Sequence, residues 1–289
     1  MALPSNVALP SVYSLIPHLP VLRRQLTSSL EFGGDAFNNA HFQLELLPYC
    51  LGAASSALET LISEIETTVS DNLSSEPPES RAIILPKPEV TARLSYQVDH
   101  FLDAARRTQN AWIPYLSRRF SLSLPISLST LMNRLKSPDL GLPEKIRHRV
   151  MEYWERHGKR LKDYRDLSQH HAPLVLSEAR VFRAADGTPS IWLTLPNNPE
   201  VKSSSQLSFE NPTVHAFSYV RDQYCELVAF SYWLCDELIE ASMDRNEAAF
   251  ARVPRTWIGP SGHLPSHSIP TESAVAREIN ERIATLRLS

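Results

Sequence analysis

Residues 40–69 read AHFQLELLPYCLGAASSALETLISEIETTV and contain the clearest structural pattern of the chain. Apolar residues recur there at steps of three and four: Leu47, Leu51, Ala54, Leu58, Leu61, Ile62, Ile65 and Val69. This spacing places the apolar side chains on one face of a helix. We therefore predict a long helix with one buried face, in which Pro48 either kinks the helix or begins its regular part.

Three further segments show the same helical spacing, at residues 90–116, 146–164 and 217–238, and a short helix is predicted around Leu128–Leu135. The segment at 146–164 follows Pro143 and Glu144, which favour the first turn of a helix. Four long amphipathic helices must bury their apolar faces against one another. The sequence therefore predicts a mainly α fold, organised as an up-and-down four-helix bundle.

The spacing of apolar residues changes from a helical to an alternating pattern and predicts an inserted β-hairpin at about residues 175–195. Apolar and polar residues alternate along residues 190–195, and a turn centred on Asp186-Gly187 precedes this run. Proline-containing extensions flank the bundle on both sides. We divide the chain into an N-terminal arm (residues 1–35), a helical bundle with the hairpin insertion (36–245) and a proline-rich C-terminal tail with a short terminal helix (246–289).

The composition is that of a globular protein, since 43% of the 289 residues are hydrophobic and 21% are charged, which excludes wholesale disorder. Only eight glycines occur, and no glycine-rich phosphate-binding motif is present, so we expect no nucleotide cofactor. Three cysteines without C-x-x-C spacing indicate neither a disulfide framework nor a zinc site. Prolines interrupt the uncharged first 22 residues, which argues against a signal peptide or membrane span. We expect a cytoplasmic protein without a bound metal or membrane partner.

Charge is distributed unevenly along the chain. Residues 93–166 carry 15 basic and 8 acidic side chains, whereas both flanking regions are acidic and the net charge is −3. A basic middle region can attract a polyanion such as RNA. Neutralisation between neighbouring helices explains the same distribution, and the sequence leaves both interpretations open.

The most informative segment for function is residues 162–173, KDYRDLSQHHAP, at the end of the third long helix. Arg165, Asp166 and His170 lie there within two turns of a helix that Pro173 stops. This R-D-x3-H pattern resembles the R-(N/D/H)-x(3–5)-H signature of the HEPN superfamily (higher eukaryotes and prokaryotes nucleotide-binding), whose helical bundles carry the motif near the end of a late core helix. The resemblance covers this motif and the helical architecture of about residues 36–245.

The resemblance implies a metal-independent RNA endonuclease or RNA-binding protein that acts as a homodimer, with Arg and His side chains from both copies lining a cleft. It implies that His170 is a general acid or base, because imidazole titrates near neutral pH. Arg165 would bind the non-bridging phosphate oxygens, and Asp166 would orient one of the other two side chains. The candidates for contact with RNA are Arg156, His157, Lys159, Arg160, Lys162 and His171.

Helix geometry constrains this site. Residues five apart on a straight α-helix point about 140° away from each other, so Arg165 and His170 cannot meet on an unbroken α-helix. Either the helix breaks before His170, or the site is composite and forms across a two-fold axis.

A non-catalytic interpretation of these residues stays open. Arg165 can pair with Asp163, with Asp166 or with a carboxylate from another helix, and the two histidines can cap a helix C-terminus. The basic residues around His157 can form a solvated surface. The protein would then be a helical dimerisation or interaction module.

A second polar cluster lies on the helix at 90–116 and contains Arg106, Arg107, Gln109 and Asn110, with aromatic residues nearby. Such a cluster can bind bases by stacking, or it can face another subunit. No H-E-x-x-H, G-x-S-x-G or paired E-x-x-H motif occurs, which argues against zinc-protease, hydrolase and di-iron chemistry.

Overall fold

Long helices dominate the fold, which we describe from a computed structural model for residues 9, 11–77, 79–137, 140–171, 174, 179–185, 187, 189–210 and 212–240. The helices are α1 (Val12–Leu15), α2 (Leu19–Thr27), α3 (Asp35–Leu73), α4 (Pro88–Arg119), α5 (Leu128–Leu135), α6 (Glu144–Tyr153), α7 (Lys159–Asp166) and α8 (Ala216–Glu240). A π-helical turn, Trp154–Gly158, joins α6 to α7, and a second one, Leu167–His171, extends α7. A short 3-10 turn spans Ser204–Gln206. The prediction of a mainly α fold is confirmed, and the short helix predicted around Leu128–Leu135 is α5.

Helix α4 packs mainly against α3, α7 and α8 and also contacts α2 and α5, and α3 also contacts α8. Their apolar faces form one buried core. Trp112 of α4 lies in this core, with its ring centroid 4.9 Å from that of Tyr153 and 4.3 Å from that of Phe230. Its indole Nε1 donates a hydrogen bond of 2.9 Å to the hydroxyl of Ser231. One aromatic cluster therefore links α4 to both α6 and α8.

Pro48 lies inside α3, which begins earlier, at Asp35. A proline has no N–H group, so the carbonyl of Leu44, four residues before it, lacks its helical partner. The hydroxyl of Tyr115 on α4 donates to this carbonyl at 2.6 Å, and both residues are buried. The neighbouring helix therefore supplies the hydrogen bond that the proline removes.

We expect the substitution Tyr115→Phe to destabilise the protein by about 1–3 kcal/mol, because it leaves a buried carbonyl without a partner. Urea denaturation followed by circular dichroism measures this change. The matched control is Tyr96→Phe, since Tyr96 lies on the same helix with its side chain exposed. Equal unfolding midpoints for the two variants would show that the Leu44 carbonyl does not depend on Tyr115.

Two small antiparallel sheets follow α7. Strands β1 (Arg180–Arg183) and β2 (Pro189–Trp192) form a hairpin within the predicted insertion, with Gly187 of the connecting turn at a positive φ of 85°. Strand β3 (Thr194–Leu195) does not continue this hairpin but pairs with β4 (Val214–His215), directly before α8. The second pairing was not predicted, because each of its strands has only two residues and no recognisable pattern of alternation.

The region predicted as an N-terminal arm contributes to the core. Helices α1 and α2 contact α3, and Leu15, Ile16, Leu19 and Leu22 are fully or almost fully buried. The arm prediction for residues 1–8 and 10 lies outside the described residues. The proline-rich tail and short terminal helix predicted for 246–289 lie outside them as well.

The long helices alternate buried apolar side chains with polar and charged ones, and the mean hydropathy of the chain is −0.23. Charged residues interrupt the apolar face of α4 at intervals. Across the part of the chain that the structure describes, no helix combines the length and the apolar character needed to cross a membrane.

Candidate active site at the end of α7

Arg165 and His170 meet because the helix widens between them. Helix α7 ends at Asp166, and the following turn, Leu167–His171, is π-helical. The backbone hydrogen bonds of a π-helix join residues five apart, so residues i and i+5 lie about one turn apart on the same side. Accordingly, Nη1 of Arg165 lies 3.4 Å from Nε2 of His170. The regular α-helix thus ends before His170, as one of the two predicted alternatives requires, and the two side chains meet within one copy of the chain.

The guanidinium is the donor in this contact. A guanidinium has five N–H donors and no acceptor, so Nε2 of His170 accepts. His170 is exposed to solvent. Nε2 is thus the ring nitrogen of His170 that lies beside Arg165.

Two carboxylates lie near Arg165, but each forms a shorter ion pair with another cation. Nε of Arg165 is 3.8 Å from Asp103 and Nη1 is 3.4 Å from Asp166. Asp103 lies only 2.7 Å from Arg107, and Asp166 only 2.8 Å from Lys162. Arg165 is therefore the more weakly paired cation at both carboxylates.

The guanidinium of Arg165 retains unused donors. The Arg165 side chain is 26% exposed, and its buried Nε forms no hydrogen bond within the described residues. Its contacts to His170 and Asp166 both involve Nη1, and Nη2 forms no hydrogen bond within the described part of the chain. An anion that approaches Nη2 can therefore bind without displacing a short ion pair.

Partial burial acts to raise the pKa of Asp166, but its hydrogen bonds and charge interactions with Lys162 and Arg165 lower the pKa overall. Asp166 is therefore ionised at neutral pH and stays bound to these two cations. The sequence predicted that Asp166 orients Arg165 or His170, and in the structure it lies 3.4 Å from Nη1 of Arg165.

A second guanidinium, that of Arg106 on α4, is more deeply buried than the guanidinium of Arg165. Arg106 is only 8% exposed and donates hydrogen bonds to Gln109 at 2.8 Å and to Ser129 at 3.1 Å. It forms no ion pair with any described carboxylate, and its guanidinium lies 5.7 Å from the ring centroid of Trp154. Burial lowers the pKa of Arg106; the charge of Asp166 raises it and that of Arg165 lowers it. Arg106 thus adds a buried positive charge close enough to Asp166 and Arg165 to interact with both.

A half-buried carboxylate, Asp99, lies one turn before Asp103 on α4. Burial raises the pKa of Asp99, and the Ser168 hydroxyl and the charge of His100 lower it in part. Its Oδ1 atom is buried without a hydrogen-bond partner among the residues described. Asp99 thus carries a charge that the surrounding structure does not fully satisfy.

We expect Asp99→Asn to raise the melting temperature at pH 7.5 by about 1–2 °C. The folded state raises the pKa of Asp99 above that of the unfolded chain, so this residue stabilises the fold below its unfolded pKa and loses that contribution as pH rises through the folded value. The difference in melting temperature between Asp99→Asn and the wild type should therefore disappear near pH 4. Thermal unfolding at both pH values, with the exposed Asp71→Asn as control, measures the effect. An equal shift at both pH values would contradict this assignment.

The predicted RNA-contact residues do not all share one surface with Arg165. Lys162 contacts the motif through its ion pair with Asp166, and Lys159 is exposed. By contrast, His157 lies 3.7 Å from Glu226 of α8, and burial is the main cause of its lowered pKa. The remaining predicted contacts are placed as follows: Arg156 pairs with Glu152 at 2.9 Å, Arg160 donates to the Asn197 carbonyl at 3.3 Å, and the side chain of His171 lies outside the described residues.

A cavity of about 370 Å³ adjoins the motif between α3 and α4. Asp103 forms part of its wall and also accepts a hydrogen bond of 3.2 Å from Gln169, within the π-helical turn. A second cavity of about 490 Å³ follows along the same two helices and shares Tyr49, Cys50 and Arg107 with the first. The motif therefore has an open cleft beside it.

Sequence reasoning did not identify Asp99 and Asp103 as part of the site, and it placed Arg106 and Arg107 in a separate cluster. These residues recur at steps of three and four on α4 beside its buried apolar face, a spacing that puts them on one edge of the helix. The spacing is visible in the sequence. What the sequence does not show is that α7 packs against this edge.

Comparison of the chain with protein-family models, with curated proteins and with solved structures found no match. Within the described ranges, no group of three or more His, Cys, Asp or Glu side chains is arranged to hold a metal ion. The case for a function therefore depends on the motif and its surroundings.

Proposed function

We propose that this protein is a HEPN-like, metal-independent RNA endonuclease that acts as a homodimer, with its long helices arranged as an up-and-down four-helix bundle. The observation that carries the proposal is the 3.4 Å contact between Nη1 of Arg165 and Nε2 of His170 on a partly exposed surface. It combines a phosphate-binding group with a group that can accept a proton.

The proposed reaction begins when Nε2 of His170 takes the proton of a ribose 2′-hydroxyl. The 2′ oxygen attacks the adjacent phosphorus, and the bond from phosphorus to the 5′ oxygen of the next nucleotide breaks. That 5′ oxygen takes a proton from solvent, and the imidazolium of His170 releases the proton that it gained, which restores the neutral imidazole. The products are an RNA with a 2′,3′-cyclic phosphate end and an RNA with a 5′-hydroxyl end.

Arg165 stabilises the transition state by donating from Nη2 to the non-bridging phosphate oxygens, whose negative charge grows as the 2′ oxygen attacks. The short pairs of Asp103 with Arg107 and of Asp166 with Lys162 keep these carboxylates occupied. Arg106 adds positive charge from behind without contact to the substrate. The unused donors of Arg165 favour binding of an anionic phosphate at the end of α7.

One observation favours the alternative function, a non-catalytic dimerisation or interaction module. Phe32 and Phe42 are largely exposed at the start of α3, and Phe32 packs against Phe37 with ring centroids 5.0 Å apart. Phe32 and Phe37 both line a cavity of about 430 Å³. Exposed aromatic side chains next to a cavity are typical of surfaces that bind another protein.

The test of the proposed function is cleavage of mixed single-stranded RNA by the full-length protein in excess chelator. We expect products with 2′,3′-cyclic phosphate and 5′-hydroxyl ends, no cleavage of the same sequence carrying 2′-O-methyl groups, and a strong loss of rate in Arg165→Ala. The control is Arg81→Ala, which changes an exposed arginine near the hairpin. No cleavage by the wild type, or equal cleavage by the wild type and both variants, would favour the interaction module.

A further inference from the structure

We propose that the cavity between α3 and α4 binds one unstacked base of the RNA substrate, adjacent to the phosphate held at Arg165. This inference rests on the proposed function and adds to it a binding site for a nucleobase. It also restricts the substrate to RNA that is single-stranded at the point of cleavage.

The size and composition of the cavity suit a planar aromatic ring. Its volume of about 370 Å³ is at the lower end of the range for small-molecule pockets. Small side chains of both helices, Ala53, Ala57 and Ala104, line it, and the last two are buried. Gln97 adds an amide that can hydrogen-bond to the edge of a base.

Tyr49 provides the stacking surface. Its side chain is 70% exposed although it lies next to the buried Cys50 on α3, and it borders both cavities. An exposed aromatic side chain at the mouth of a cavity is a surface on which a base can stack. Stacking of this kind needs a base that is free of a duplex, because the faces of paired bases are covered by their neighbours.

Asp103 connects the cavity to the motif. The same carboxylate lines the cavity, pairs with Arg107 at 2.7 Å and lies 3.8 Å from Nε of Arg165. The Asp103 side chain thus lies between the cavity and the Arg165–His170 pair. Arg107 and Arg165 both lie against this carboxylate, so they are the cations that we expect to hold the phosphates of a nucleotide whose base enters the cavity.

The experiment measures binding of a 5′-fluorescent single-stranded RNA of seven nucleotides with 2′-fluoro riboses, which lack the attacking hydroxyl. Fluorescence anisotropy in chelator compares wild-type protein with Tyr49→Ser. We expect the Kd to rise roughly 5- to 100-fold, the range for loss of one aromatic stack. The matched control is Tyr96→Ser, which removes a tyrosine of 61% exposure that lines neither cavity, and it should change the Kd less than twofold.

A second arm uses a series of the same RNA in which one nucleotide at a time lacks its base. For wild-type protein, removal of the base at one particular position should raise the Kd relative to the complete RNA. For Tyr49→Ser, removal of the same base should leave the Kd unchanged. Equal Kd values for Tyr49→Ser and Tyr96→Ser in a protein that cleaves RNA would overturn the base site and leave the proposed function intact. Wild-type protein that neither binds nor cleaves RNA would overturn both.

Discussion

Replacement of His170 by alanine is expected to lower kcat for RNA cleavage by about 100- to 10,000-fold, the usual contribution of a general acid or base. In the proposed reaction Nε2 of His170 accepts the proton, and the carboxylates of Asp103 and Asp166 are engaged with Arg107 and Lys162. Because the His170 side chain is exposed, its removal should leave the melting temperature within about 1 °C of the wild type. Single-turnover cleavage in chelator and thermal unfolding of the same preparations measure both quantities.

The control for this prediction is His148→Ala. His148 is an exposed histidine of α6, on the same helical run as the motif, and should be replaceable without loss of rate. A His170→Ala protein that cleaves RNA at the wild-type rate would show that another group removes the proton, and the proposed role of His170 would be wrong.

Replacement of Trp112 by alanine is expected to destabilise the protein by about 3–5 kcal/mol. The substitution removes the largest side chain of the central core, its contacts with Tyr153 and Phe230, and the hydrogen bond to Ser231. It leaves a cavity where α4 meets α6 and α8, and a hydroxyl without its donor. Chemical denaturation measured by circular dichroism gives the change in free energy of unfolding.

The partly exposed Trp192 of β2 provides the comparison, because Trp192→Ala removes the same side chain from the surface. We expect its cost to be below about 1 kcal/mol. If the two tryptophan variants unfold at the same denaturant concentration, the aromatic cluster around Trp112 does not hold the helices together as described.

Much of the helical framework was predictable from spacing alone. The apolar steps within residues 40–69 and 90–116 extend in the structure to α3 and α4, and α5 matches its predicted bounds. The reason is that each helix buries one continuous face, so the signal accumulates over many residues. Strands β3 and β4 have two residues each, which is too short to show an alternation of apolar and polar residues.

The candidate site was only partly predictable. The motif and the need for a break in the α-helix follow from residue spacing, but the kind of break does not. The first π-helical turn is closely packed at Gly158, where an added Cβ would lie 3.0 Å from the Trp154 ring and 3.1 Å from the Tyr153 ring, so these rings would have to shift by a few tenths of an ångström. The carboxylate beside Arg165 comes from Asp103 of α4, a contact that only the packing of distant segments reveals.

The most direct test of the account is a double-mutant cycle between Arg165 and His170 on RNA cleavage in chelator. Since the two side chains are in contact and act on one phosphodiester, we predict that the Arg165→Ala/His170→Ala double variant is no more than about tenfold slower in kcat/KM than the slower single variant. Losses that multiply across the two single variants would mean that Arg165 and His170 act independently, and would contradict a shared catalytic site at the end of α7.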